Sequence, residues 1–199
     1  MTPGDFNNDG FNDLAVSNQS GDNISILLND GAGEFNRTNF PTGDGPRSIV
    51  AWDFNKDGIL DIATTHLNAG IVSVMIGLGN GEFSVHQEYA AGLGPDSLIA
   101  VDFNEDEVLD LMCTERFGFS LRLFPGVGDG TFAPAISFPL DVRPVSVACS
   151  YFDDDQILDV VTGNHNGRDI SLVLGLEDGG FSEPSNFAAG SVCRSNLSK

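Results

Sequence analysis

The sequence predicts an all-β protein, a β-propeller of about four four-stranded blades. Three observations carry the prediction: an aspartate-rich nine-residue segment that recurs four times, a glycine-rich turn ending in phenylalanine that recurs in the same phase, and short β-branched and aromatic runs between them with no sustained helical period.

The first marker is Asp5-Phe-Asn-Asn-Asp-Gly-Phe-Asn-Asp13. It returns at Asp53–Asp61, at Asp102–Asp110 and, in degraded form, at Tyr151–Asp159, in steps of 48, 49 and 49 residues. The second marker is the turn Gly31–Phe35, repeated at Gly79–Phe83, Gly128–Phe132 and Glu177–Phe181. A third is a proline opening an apolar run, at Pro46, Pro95 and Pro144. Three unrelated markers in one phase divide the single domain, residues 1–199, into repeats at about 5–52, 53–101, 102–150 and 151–199.

Within the second repeat, Ser48–Trp52, Leu60–Thr65, Val72–Ile76 and Phe83–Tyr89 read as strands. They are short, rich in β-branched and aromatic residues, and bounded by Gly, Asn, Asp and Pro. Four strands in about 49 residues is the size of one propeller blade.

Composition excludes several functions. The formal net charge is −20, with nine Lys and Arg against 29 Asp and Glu. A nucleic-acid partner would need a basic face, and an anionic membrane surface would repel the chain. Disorder is disfavoured by the 41% apolar content, so the acids are read as cation ligands. No run of 18 apolar residues predicts a membrane-spanning helix, and Met1–Asp5 does not read as a signal peptide. Cys113, Cys149 and Cys193 form no CxxC pair and are expected to be small buried hydrophobes. His66, His86 and His165 are scattered and expected at the surface. The sequons at Asn18, Asn23, Asn36 and Asn196 suit a secreted chain but are frequent by chance.

The loop chemistry points to calcium. Calcium takes about six to eight oxygen ligands. A short loop supplies them when acids recur at every second position around a sharp turn. Copy one offers Asp5, Asn7, Asp9 and Asp13 with the carbonyl of Phe11. Copy two offers Asp53, Asn55, Asp57 and Asp61 with the carbonyl of Ile59. Gly10 and Gly58 stand at position 6, where a left-handed turn is expected. Copy three keeps Asp102, Asn104, Asp106 and Asp110, with the carbonyl of Val108, but carries Glu107 at position 6. The left-handed conformation costs a non-glycine residue about 1 kcal/mol, so a weaker site is expected. Copy four keeps Asp153, Asp155 and Asp159 but has Tyr151 at position 1 and Gln156 at position 6, and is expected to bind poorly. An EF-hand is rejected: position 12 is Val16 or Thr64 rather than Glu, and the flanks read as strands.

The pattern Asp-Phe-Asn-x-Asp-Gly-x-x-Asp after a strand, with a glycine-rich turn to Phe downstream, resembles the FG-GAP/VCBS repeat of integrin-α-type propellers. The resemblance implies a calcium-stabilised, extracellular or cell-surface propeller, often of seven blades, without fixing its ligand.

No catalytic set is seen, so a non-catalytic adhesion or lectin-like module binding a glycan or protein is expected. The alternatives are the propeller portion of a larger secreted enzyme acting on polysaccharide, or a truncated fragment. A partner is expected on the face opposite the Asp loops, near His66–Asn68, Glu115–Phe117, Asn164–Arg168, Arg47, Asp96 and Arg143. The last segment, Ser195–Lys199, lacks the apolar character of Ser48–Trp52. A piece of a longer array, or association with further repeats or another copy, is therefore expected rather than a closed ring.

Overall fold

The structure, a computed structural model, describes residues 1–140, 142–165, 168–177 and 179–190. Cys193, the Asn196 sequon and the candidate closing segment Ser195–Lys199 lie outside them.

Sixteen strands form four antiparallel four-stranded sheets, each a simple meander. Sheet 1 contains β1 (Thr2–Gly4), β2 (Asp13–Asn18), β3 (Asn23–Asn29) and β4 (Phe35–Pro41). Sheet 2 contains β5 (Pro46–Trp52), β6 (Asp61–His66), β7 (Ile71–Met75) and β8 (Gln87–Ala90). Sheet 3 contains β9 (Pro95–Val101), β10 (Asp110–Glu115), β11 (Ser120–Phe124) and β12 (Ile136–Pro139). Sheet 4 contains β13 (Pro144–Ser150), β14 (Asp159–Asn164), β15 (Asp169–Val173) and β16 (Ser185–Ala188). Among these residues no helix is long and apolar enough to cross a membrane.

Each sheet packs face to face on the next, and each of the three interfaces has its own core. Phe6, Ile24, Ile26, Ile62, Met75 and Phe83 join sheets 1 and 2. Phe54, Val72, Leu98, Leu111, Phe124 and Phe132 join sheets 2 and 3. Phe103, Met112, Leu121, Val147, Val160 and Val173 join sheets 3 and 4. Strands β6 and β10, covered on both faces, are buried throughout, which explains why neither shows an apolar–polar alternation. Outer strand β16 is exposed along its length, and β8 and β12 nearly so.

The inner strands β1, β5, β9 and β13 line a concavity of about 1140 Å³. Sheets 1 and 4 do not pack on each other as consecutive sheets do, so the described residues form an open array.

Two expectations need correction. The closing strand expected over Phe83–Tyr89 is Gln87–Ala90, because Phe83 turns inward as an isolated bridge to Gly77 and Val85 projects into solvent. His66 is fully buried rather than at the surface. Its Nδ1 bonds the Gly43 carbonyl at 2.8 Å and its Nε2 bonds the Ser73 hydroxyl at 2.7 Å. Burial pushes its pKa down, keeping it neutral. His86 and His165 are half-buried.

Cys113 is a buried free thiol. Cys149 is free and half-buried, its pKa pushed up to about 12 by burial. Asn18 and Asn23 are tied into the β2–β3 turn by an amide–amide bond of 2.8 Å. Asn36 is exposed.

Candidate metal-binding loops

Each Asp loop connects the first and second strands of its sheet, so all four lie at the same end of the sheets as the glycine-rich turns. The loops are held by their own side chains. In copy two, Asp53 accepts the amides of Asp57 (3.1 Å) and Gly58 (2.8 Å), and Asp57 accepts that of Ile59 (2.8 Å). Asn55 donates to Asp57 at 2.8 Å and accepts the Asp57 amide at 3.1 Å. Copy one repeats the pattern through Asp5, Asn7 and Asp9, and copy three through Asp102, Asn104 and Asp106. In copy four Tyr151 offers no acceptor, and only Asp153 and Asp155 cap the turn.

Position 6 is left-handed in every copy: φ is 90° at Gly10, 85° at Gly58, 66° at Glu107 and 65° at Gln156. The strain expected at Glu107 is therefore present, and Gln156 shares it. Position 4 is left-handed as well, at Asn8, Lys56 and Glu105. Residue type does not announce this turn, because none of the three is glycine.

The position-9 aspartates stand apart. Asp13, Asp61, Asp110 and Asp159 are all buried. One oxygen of each accepts the position-2 amide: Phe6 at 2.9 Å, Phe54 at 2.9 Å, Phe103 at 3.1 Å and Phe152 at 2.7 Å. The other accepts an amide at the end of the third strand or just beyond it: Asn29 at 2.7 Å, and Gly77, Gly126 and Gly175 each at 2.8 Å. A Cβ at any of these three glycines would collide with a loop carbonyl (Leu60, Leu109 or Leu158), so close approach fixes the residue. Desolvation raises the pKa of Asp61 and Asp110 against the pull of these amides. Position 9 is thus a clasp between the loop and the far side of the sheet.

The donors are oxygens throughout: three carboxylates, one side-chain amide and the position-7 carbonyl. That set fits a hard cation such as calcium. A carboxylate oxygen has two acceptor directions, so one amide on an oxygen leaves the second for an ion. Among the described residues, however, no three acidic, histidine or cysteine side chains converge on one point. The carboxylates of positions 1 and 5 are turned onto loop amides instead.

The glycine-rich turns meet these loops. Phe83, Phe132 and Phe181, each ending the turn of one sheet, pack on the position-2 phenylalanine of the preceding sheet: Phe6 at 5.9 Å, Phe54 at 5.5 Å and Phe103 at 4.9 Å between ring centroids. Backbone bonds reinforce the contact, from the Gly81 amide to the Phe6 carbonyl (2.9 Å) and from Gly130 to Phe54 (3.2 Å).

The FG-GAP-like repeat matches residues 5–64 and 53–113, together 5–113 and more than half of the 199 residues. The chain belongs to the FG-GAP-like repeat family. No curated protein matches it. Among solved structures, this FG-GAP-like chain is similar to BBS1N in complex with ARL6DN, with a TM-score of 0.66 at 12% identity over 95% of this chain and 56% of that one. It spans about half the length of that neighbour, and the likeness is one of fold. Weaker likenesses are to the V. cholerae biofilm matrix protein Bap1 (TM-score 0.39, 15% identity, 95% of this chain and 39% of that one) and to the Photorhabdus luminescens Tc holotoxin pore (0.47, 14%, 94% and 9%).

The opposite end of the sheets is more structured than solvated loops. His66, Glu115 and Asn164 close the second strands of sheets 2, 3 and 4, and all are buried. Each bonds a polar partner on the third strand: Ser73, Arg122 (2.7 Å) and Ser171 (2.8 Å). Burial pushes Glu115 up, but Arg122, Ser120 and the Leu93 amide hold its carboxyl below the usual range. Asn68 lies exposed beside Asp44, and Asn166 and Gly167 fall outside the described residues.

Proposed function

We propose that this chain is a calcium-stabilised, non-catalytic binding module that works outside the cell and recognises a glycan or protein with the face opposite its Asp loops. The supporting observation is the division of labour along the sheets. Oxygen-only, amide-capped acidic loops stand at one end, and buried polar groups with exposed arginine and phenylalanine stand at the other. A loop with three carboxylates repels itself, and a divalent ion removes most of that repulsion. Binding to the folded loop alone therefore adds to stability.

Asp5, Asn7 and Asp9, and Asp53, Asn55 and Asp57, would hold the ion, with the Phe11 and Ile59 carbonyls. Asp13 and Asp61 would serve both clasp and ion. Asp102, Asn104, Asp106, Asp110 and the Val108 carbonyl would make a weaker site, and the fourth loop a doubtful one. The ion would neutralise charge and carry out no reaction step.

The test is thermal unfolding in calcium and in chelator, with calorimetric titration for stoichiometry. The reading expects a higher melting temperature in calcium and about two strong sites; melting unaffected by chelator overturns it.

A further inference from the structure

We propose that Arg47, Arg116 and Arg143, gathered around Asp96 and Phe117, form a binding site for the carboxylate of an acidic sugar. This rests on the reading that partners engage the face opposite the Asp loops.

The observations begin with Asp96, which is nearly buried at the start of β9. One of its oxygens accepts the Arg47 Nε–H from sheet 2. The other accepts Arg116 Nη1 at 3.4 Å, from the β10–β11 hairpin. The Arg116 and Arg143 guanidiniums lie 5.6 and 4.6 Å from the centroid of the Phe117 ring. Two guanidiniums thus share one carboxylate, and a third shares the Phe117 ring with Arg116, in a chain with only nine Lys and Arg.

A strut between sheets needs one arginine per aspartate; here two share Asp96 and a third stands beside them on Phe117. The surplus is two positive charges and many N–H donors, since each guanidinium carries five. Among the described residues the buried Nε–H groups of Arg116 and Arg143 have no acceptor. Burial lowers the pKa of Arg116, and Arg143 and Arg47 add to this against the pull of Asp96. An added anion relieves that crowding.

The overall charge of −20 does not forbid an anion here. Arg47 and the nearest loop acid, Asp53, stand at opposite ends of β5, six residues apart. At about 3.3 Å per residue that is roughly 20 Å, more than two Debye lengths at physiological salt. The Asp-loop charge is therefore screened here, and the acids at this end, Asp22, Asp44 and Glu115, already accept from the Gly45 amide, Asn68 and Arg122.

The Phe117 ring is 47% exposed and offers aromatic surface beside the guanidiniums. Such a surface suits the C–H face of a sugar ring, while a paired guanidinium fork suits its carboxylate. Arg47 and Asp96 also line the concavity of about 1140 Å³, which has room for an oligosaccharide. An acidic peptide, with a charge on each residue, needs a longer basic surface than this one point.

The test is calorimetric titration of the full chain, in calcium, with trigalacturonate, a neutral galactose trisaccharide and hexaglutamate. Trigalacturonate alone is expected to bind. Arg143→Gln and Arg116→Gln should each weaken it about tenfold or more, whereas the exposed Arg37→Gln should not. Melting curves of each variant establish that it is folded. No binding of trigalacturonate by the folded wild type, equal binding of the neutral sugar, preferred binding of hexaglutamate, or no loss in the folded arginine variants overturns the proposal. The calcium reading is judged separately by the chelator melt, so either can fail alone.

Discussion

The rings of Phe6 and Phe83 meet edge to edge-face at 5.9 Å between centroids and 61° between planes, joining the Asp loop of one sheet to the glycine-rich turn of the next. The same pairing recurs between Phe54 and Phe132 and between Phe103 and Phe181. Two markers that share a phase in the sequence are the two halves of one contact between repeats.

That relationship predicts unequal phenylalanines. Phe132→Ala removes a buried ring from the core between sheets 2 and 3 and is expected to cost about 3 kcal/mol. Phe152→Ala, at a ring 50% exposed, should cost less than about 0.5 kcal/mol. Urea unfolding of both variants checks this; equal losses would sink the inter-sheet role.

The loop clasp and the proposed metal ligands separate by mutation. Asp61→Asn keeps one acceptor and sets an amide NH₂ against a backbone N–H, so it should lower stability by about 2 kcal/mol even in chelator. Asp57→Asn should mainly reduce the calcium-dependent part of stability. Asp154→Ala should do little, since Asp154 belongs to no proposed ligand set. Melting temperatures with and without calcium discriminate the three.

Left-handed strain predicts gains. At Glu107 (φ 66°) and Gln156 (φ 65°), glycine relieves about 1–2 kcal/mol of strain and loses part of that to unfolded-chain entropy. Each substitution should add about 0.5–1 kcal/mol, read as a rise in denaturation midpoint. Gly58→Ala should do the reverse.

Acid sensitivity should include a contribution from His66. Its folded pKa lies below the ordinary 6.5 because burial disfavours the charged ring; the Gly43 carbonyl, Glu88 and Asp22 pull the other way, and His86 adds to the fall. The unfolded chain then binds the proton first. Stability is retained above about 6.5 and falls as pH drops from there towards the lowered folded pKa. His66→Gln should flatten the slope of stability between about pH 7 and 5, measured by urea titration at each pH. An unchanged slope refutes the assignment.

The repeat, the β class, the strand order within a sheet and the left-handed turn at position 6 were legible in the chain alone, because each is written in local spacing and in glycine, proline and aspartate chemistry. The same spacing marked Asp5, Asn7 and Asp9 and their counterparts as one kind of residue. That Asp13, Asp61, Asp110 and Asp159 are buried clasps emerged from the folded sheets alone, because their partners at Asn29, Gly77, Gly126 and Gly175 lie 16 residues further on. The fold likewise placed His66 and Glu115 inside, brought Arg47 and Arg116 onto Asp96 and set Arg143 over the Phe117 ring. Burial and convergence depend on which faces of which sheets meet, and no local spacing encodes that.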